Sequence, residues 1–229
     1  MTNLIKIFYC LCLLIFSNIA LATVITLDFE GSGNYALLDD FYNGGTDSHG
    51  NAGENYGISF GSDALACVDA DANDMLGGCN FANEPTNDTI LFFTSGSAVL
   101  NMQSGFDTAF SFYYSASKAV NISVYSEQNL AGSLLGTVNL SANWQDNNCQ
   151  GDPNGVFCHW GIGQIAFSGL AKSIDFGGAA NYVGFDNITF GSVIPNPNPQ
   201  PLPEPIMFAL WTIPLLGLGW LRLKPNAKA

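Results

Sequence analysis

The chain has 229 residues, 48% of them hydrophobic, with six basic residues against 19 acidic ones and a net charge of −13. Between Thr23 and Val193 the imbalance sharpens, because Lys118 and Lys172 alone stand against 18 acidic residues. Holding a phosphate backbone needs Lys and Arg, so nucleic acid is excluded as a partner; a solvated acidic surface and divalent-cation binding both stay open.

Residues 1–22 read as a secretory signal helix. Lys6 supplies the positive start, Ile7 to Ile19 the apolar segment, and Ala20-Leu21-Ala22 a small-x-small site for signal peptidase, with the cut before Thr23. Cys10 and Cys12 leave with this segment. Residues 23–193 are long enough for one well-buried domain. Its pattern is all β. Val24 to Phe29 is rich in β-branched residues and reads as the first strand. A Gly/Asn loop runs from Tyr42 to Tyr56, and Gly57 to Gly61 reads as a short strand. Thr89 to Thr94 and Ala98 to Met102 follow, joined by a Ser95-Gly96-Ser97 turn. Phe106, Thr108, Phe110, Phe112 and Tyr114 share one face of a strand by their period of two, and Val120, Ile122 and Val124 repeat the pattern. Leu134 to Leu140, Ile162 to Phe167, Ser173 to Phe176 and Tyr182 to Phe190 complete the set. Many short strands between Gly, Asn and Ser turns predict a β-sandwich of jelly-roll type with a Phe-rich core.

Four cysteines remain after signal removal: Cys67, Cys79, Cys149 and Cys158. An even count in an exported chain points to disulfides, and the sequence allows three connectivities. The local pairs Cys67–Cys79 and Cys149–Cys158 are expected, each bracketing a polar loop. Zinc is the rival reading, but no close Cys-x-x-Cys is present, and His49 and His159 are the only histidines.

Residues 194–202 alternate proline with Asn and Gln, which makes an extended spacer. The tail, residues 203–229, has three parts in order. Pro203-Glu204-Pro205 comes first, then an uncharged run from Ile206 to Leu221, then a basic end with Arg222, Lys224 and Lys228. The run is long enough for a short transmembrane helix, with the basic end cytoplasmic. This order resembles the PEP-CTERM sorting tail of exported Gram-negative proteins. The resemblance implies recognition and removal by an exosortase, with Pro203, Glu204, Pro205 and Arg222 as the sorting motif. It also implies tethering to the inner membrane before processing, and then a cell-surface or extracellular place. A permanent membrane anchor is the plainer alternative. Phe41-Tyr42-Asn43-Gly44-Gly45, Asn80-Phe81-Ala82-Asn83-Glu84-Pro85, Gly105-Phe106-Asp107 with Ser111-Phe112-Tyr113-Tyr114, and Gly184-Phe185-Asp186-Asn187-Ile188-Thr189-Phe190 are similar to stretches of PEP-CTERM proteins without an assigned activity.

The opening Asp28-Phe29-Glu30-Gly31 and the closing Phe185-Asp186-Asn187-Ile188 also resemble jelly-roll carbohydrate-binding modules. There, a carboxylate of the first strand and an aspartate of the last share a structural Ca²⁺. The resemblance therefore implies Glu30 and Asp186 as ligands, with Asp28 beside them; the plain alternative makes them turn and solvated residues. Asp69-Ala70-Asp71-Ala72-Asn73-Asp74 imitates the start of a calcium loop, but Asp74 and Asn80 stand where glycine and glutamate are needed, so a solvated loop is expected. Tyr113, Tyr125, Trp144 and Trp160 are candidates for stacking on sugar rings, with core or rim packing as the other use of such rings. No enzyme is expected. There is no Gly-x-Ser-x-Gly elbow, no Lys in the Gly-rich loop at 44–53, and no spacing that pairs Asp146 or Asp152 with another carboxylate. Two functions stay open: a matrix protein held with exopolysaccharide or biofilm, and a carbohydrate-binding module using exposed aromatics.

Overall fold

The computed structural model describes residues 24–69, 78–145 and 156–196. The signal segment, most of the Asp69 loop, Cys149, Asp146, Asp152, the end of the spacer and the whole tail lie outside the described residues, and with them the two terminal helices expected above. Among the described residues no helix is long and apolar enough to cross a membrane.

The strands in chain order are β1 Thr26–Leu27, β2 Ile58–Phe60, β3 Leu65–Val68, β4 Thr89–Phe92, β5 Val99–Phe106, β6 Ala109–Ala116, β7 Val120–Tyr125, β8 Leu134–Leu140, β9 Gly161–Ala166, β10 Ala171–Asp175 and β11 Val183–Phe190. They form two antiparallel sheets. The first has the order β3-β4-β11-β6-β9 with β1 also on β11, and the second has the order β2-β5-β10-β7-β8. The chain is thus an all-β, two-sheet sandwich.

Alternation builds the core. On β6, Phe110, Phe112 and Tyr114 turn inward; on β7, Val120, Ile122 and Val124 do the same from the other sheet. Phe29, Phe41, Phe93, Phe110, Phe112, Phe176 and Phe185 are fully buried, and each such ring stabilises by about 1.5–3 kcal/mol relative to exposure.

Four expectations need correction. The first strand is two residues long rather than six, because Phe29 takes φ 63° and bends the chain out of the sheet. Leu65–Val68 is a strand without a counterpart among the expected elements; four residues between a Ser/Asp turn and an acidic loop leave too little alternation to read. Phe106 belongs to β5, not to the following strand, and Thr108 sits in the turn at φ 71°. Phe106 and Phe110 meet in the core from opposite sheets, with ring centroids 6.0 Å apart. The Ser95-Gly96-Ser97 turn joins no hairpin, since β4 and β5 lie in different sheets.

The first sheet is covered on both faces. Ala66 and Leu91 face the main core, while their neighbours Cys67 and Ile90 face outward into a second cluster with Cys79 and Phe81, flanked by Phe92, Phe157 and Trp160. Gly184 makes room for it: a Cβ there would stand 2.5 Å from both Ile90 Cδ1 and Phe81 Cε1. The Cys67–Cys79 disulfide is formed, with Cα atoms 6.1 Å apart, and it anchors this outer cluster. For the second expected pair, Cys149 lies outside the described residues.

Candidate functional site

Strand β11 carries β6 along one edge and two short strands in line along the other. β4 pairs with it at Phe185↔Leu91, and β1 pairs at Ile188↔Leu27 and Thr189↔Thr26. Between those pairings the register on β6 shifts, and Asn187 adopts φ 49°. This is a bulge, which re-aims side chains at a strand break. The loop leaving β1 and the loop entering β4 therefore meet beside Asp186 and Asn187.

The expected residues Asp28, Glu30 and Asp186 come to this junction. Asp186 is fully buried. Its Oδ2 accepts the Thr86 N–H at 3.0 Å and its Oδ1 accepts the Asn187 N–H at 2.7 Å. Glu30 Oε1 accepts the N–H groups of Asp88 at 3.2 Å and Thr89 at 3.0 Å. The buried Tyr42 hydroxyl accepts the Phe29 N–H at 2.7 Å and lies 3.5 Å from Asp28 Oδ1. Thr86 Oγ1 stands within 3.2 Å of both Asp186 oxygens and of Asn187 Oδ1, yet it has one proton to give. Around that hydroxyl three acceptors share one proton.

The charges agree with that imbalance. Burial raises Glu30 from 4.5 to about 7, helped by the negative charges of Asp28 and Asp88. Burial also raises Asp186 well above the usual carboxylate range, and the Glu30 charge adds to it. Asp28 is raised by burial. Among the described residues no basic side chain offsets them. Lys118 lies over the Tyr182 ring at 3.3 Å, and Lys172 pairs with Glu127 at 3.0 Å.

Hard oxygen donors without a counter-charge suit a divalent cation such as Ca²⁺, which takes carboxylate, amide and backbone oxygens together. Among the described residues no three His, Cys, Asp or Glu side chains close to metal-binding distance of one another. An ion here would therefore rest on two carboxylates at most, completed by amide, backbone or water oxygens. Thr86, Asp88 and Asn187 were not singled out from the sequence; a pairing between β4 and β11 about a hundred residues apart leaves no local signal.

The four candidate aromatics do not form one platform. Tyr113 is half-buried on the outer face of the first sheet, opposite Asp186 and Ile162. Tyr125 is half-buried on the outer face of the second. The Trp144 ring lies 5.5 Å from Phe157, and Trp160 lies 5.8 Å from Phe81 while its Nε1 donates to the Ala82 carbonyl at 3.0 Å.

Around Tyr125 the outer face of the second sheet carries rows of small polar side chains, of which Ser173 is fully buried, its hydroxyl donating to the Glu127 carbonyl at 2.6 Å. Ser59, Asn101, Ser173 and Tyr125 are in register across β2, β5, β10 and β7. Asp175, Ser123 and Thr137 form the next row. The Gln128–Leu130 turn is pinned over this face by Asn129, whose N–H donates to Asn101 Oδ1 at 2.7 Å. A groove of about 640 Å³ runs alongside, lined by Asp39, Asp40, Ser59, Asn101 and Asn129 among others.

No protein-family model and no curated protein matches the sequence. Among solved structures, the fold is similar to the K2 cleaved adhesin domain of Lys-gingipain, with a TM-score of 0.45 and 9% identity over 74% of this chain and 100% of that one. It is also similar to CsCBM6-3 from Clostridium stercorarium in complex with cellobiose, at 0.34 and 16% over 54% and 86%. A family 6 carbohydrate-binding module from Clostridium cellulolyticum in complex with xylose matches at 0.33 and 14% over 56% and 96%.

Proposed function

We propose that this chain is an exported glycan-binding module of the cell surface or extracellular matrix. The outer face of the second sheet carries this reading. It sets Ser59 and Asn101 in register on β2 and β5, in line with a half-buried Tyr125 on β7 and beside a polar groove. Sugars are bound by such sets, with hydroxyls read by Asn and Ser and a ring face resting on an aromatic. The Cys67–Cys79 disulfide suits an oxidising compartment outside the cytoplasm. On a glycan array, the full chain in detergent should bind neutral polysaccharides, and Tyr125→Ala or Asn101→Ala should weaken binding about tenfold. Absence of binding, or binding indifferent to both changes, removes the reading.

Glu30 and Asp186, with Asp28 beside them, would hold a structural Ca²⁺ that ties the first strand to the last. The ion would supply only positive charge; the chain supplies the oxygens and the bulge that gathers them. Exosortase processing of the Pro203-Glu204-Pro205 tail would deliver the module to exopolysaccharide or biofilm. The intact mass of the mature protein from its host checks this. A chain from Thr23 to about Pro205 is expected, and one extending to Ala229 would make the tail a permanent anchor instead.

A further inference from the structure

We infer a second site, for the ring of a neutral sugar, in the pocket beside the Cys67–Cys79 disulfide. The pocket holds about 320 Å³, at the lower end of the roughly 300–1,000 Å³ of ligand sites, so it takes a terminal sugar rather than a long stretch of chain. It lies over the outer face of the first sheet, on the opposite side of the sandwich from Tyr125. The buried disulfide and Phe81 line it with Phe92, Phe157 and Tyr35, and Asn80 and Asn181 add amides.

Tyr35 is the observation that carries the site. It is 45% exposed, yet rigidly held. Its backbone sits at φ 56°, a conformation that aromatic residues avoid and that surrounding structure must impose. Its N–H donates to the Ala66 carbonyl at 2.9 Å, and its hydroxyl donates to the Gly78 carbonyl at 2.7 Å. Gly78 is needed for this: a Cβ there would stand 2.7 Å from Tyr35 Cε2. A ring fixed at both ends with nearly half its surface in water loses little freedom when something stacks on it.

The amides supply the polar half. Asn181, at φ 67°, donates its Nδ2 to the Thr94 carbonyl at 2.9 Å, which leaves Oδ1 to accept from a ligand hydroxyl. The exposed Asn80 is set in place by its carbonyl, which accepts the N–H groups of Val156 and Phe157 at 2.8 Å. Among the described residues no charged side chain lines the pocket, although the domain has 18 acidic residues. Charged sugars find no counter-ion among the described lining residues, and a purely aliphatic ligand would make no use of the amides. A pyranose satisfies both halves, its C–H face on Tyr35 and its hydroxyls on the amides. This site stands independently of the Tyr125 face. With both occupied, one molecule bridges two glycan chains from its opposite sides.

Titration calorimetry of the full chain in detergent, with glucose, galactose, mannose and xylose, tests the site. At least one is expected to bind, with Tyr35→Ala weakening it about tenfold and Tyr125→Ala leaving it unchanged. Asn80→Ala, at an exposed side chain, should weaken it several-fold at an unchanged melting temperature, and it decides the matter if Tyr35→Ala does not fold. Glucuronic acid and glucosamine should bind more weakly than glucose. Absence of binding by every neutral sugar, or binding indifferent to Asn80→Ala and Tyr35→Ala, overturns the proposal.

Discussion

Stripped of divalent cations, the protein should lose stability as pH rises from about 4.5 to about 7, the interval between the ordinary and the buried value of Glu30. The sign follows from proton binding. The native state holds a proton on Glu30 that the unfolded chain has already released, so this contribution is complete below the unfolded value and disappears through the folded one. Asp186 and Asp28 are raised as well and act in the same direction. Calcium should reverse the trend, because an ion replaces the missing counter-charge. At a hundred times its dissociation constant it contributes about 2.7 kcal/mol, or roughly 5–10 °C in melting temperature for a domain of this size. The gain should be large at neutral pH and small near pH 4.5, where protons compete for the same oxygens. Asp186→Asn keeps an acceptor for the Thr86 N–H but removes the charge, and should abolish the calcium response. Equal melting temperatures with and without calcium at neutral pH would sink the metal reading.

The second large effect is in the core. Phe112→Ala should cost about 3–5 kcal/mol and lower the melting temperature by roughly 10 °C or more. Phe112 is fully buried at the centre of β6, with ring centroids 5.4 Å from Phe110, 5.5 Å from Phe185 and 6.1 Å from Phe176. Rings from both sheets surround it, so the cavity cannot close by the movement of one neighbour. Its chain neighbour Tyr113 points to the other face and is half-buried; Tyr113→Ala should cost about 1 kcal/mol. Calorimetry of the two variants reads out the alternation directly, and equal losses would mean that the two faces are wrongly assigned.

Much of the sandwich is legible in the residues themselves. Strand periodicity is local: Leu134–Leu140 has the bounds that its alternation predicts, and the inward stripe Val120, Ile122 and Val124 is buried as expected. Cys67 and Cys79 are twelve residues apart and are joined, as short spacing and an exported chain suggest. Glu30 and Asp186 could be singled out because each sits in a recognisable stretch at an end of the domain. Their surroundings could not. Thr86, Asp88 and Asn187 enter the junction through a β-bulge and through two strands sharing one edge of β11, and such long-range pairings have no local period to betray them.

The aromatics divide along the same line. Composition shows that the chain is rich in Phe, Tyr and Trp, and alternation places Tyr113 and Tyr125 away from the stripes that fill the core. Which rings meet water is decided by what packs over each outer face. The first sheet is roofed by Phe81, Phe157 and Trp160, while the second keeps a polar surface. Tyr35, in a loop with no periodicity, is left exposed by a glycine and a carbonyl 43 residues away. By itself, then, the sequence determines an acidic, disulfide-bearing chain of short alternating strands, because charge, cysteine count and side-chain period are local quantities. Tertiary structure alone decides where the buried carboxylates meet and which aromatics stay in water, because both depend on contacts between segments far apart in the chain.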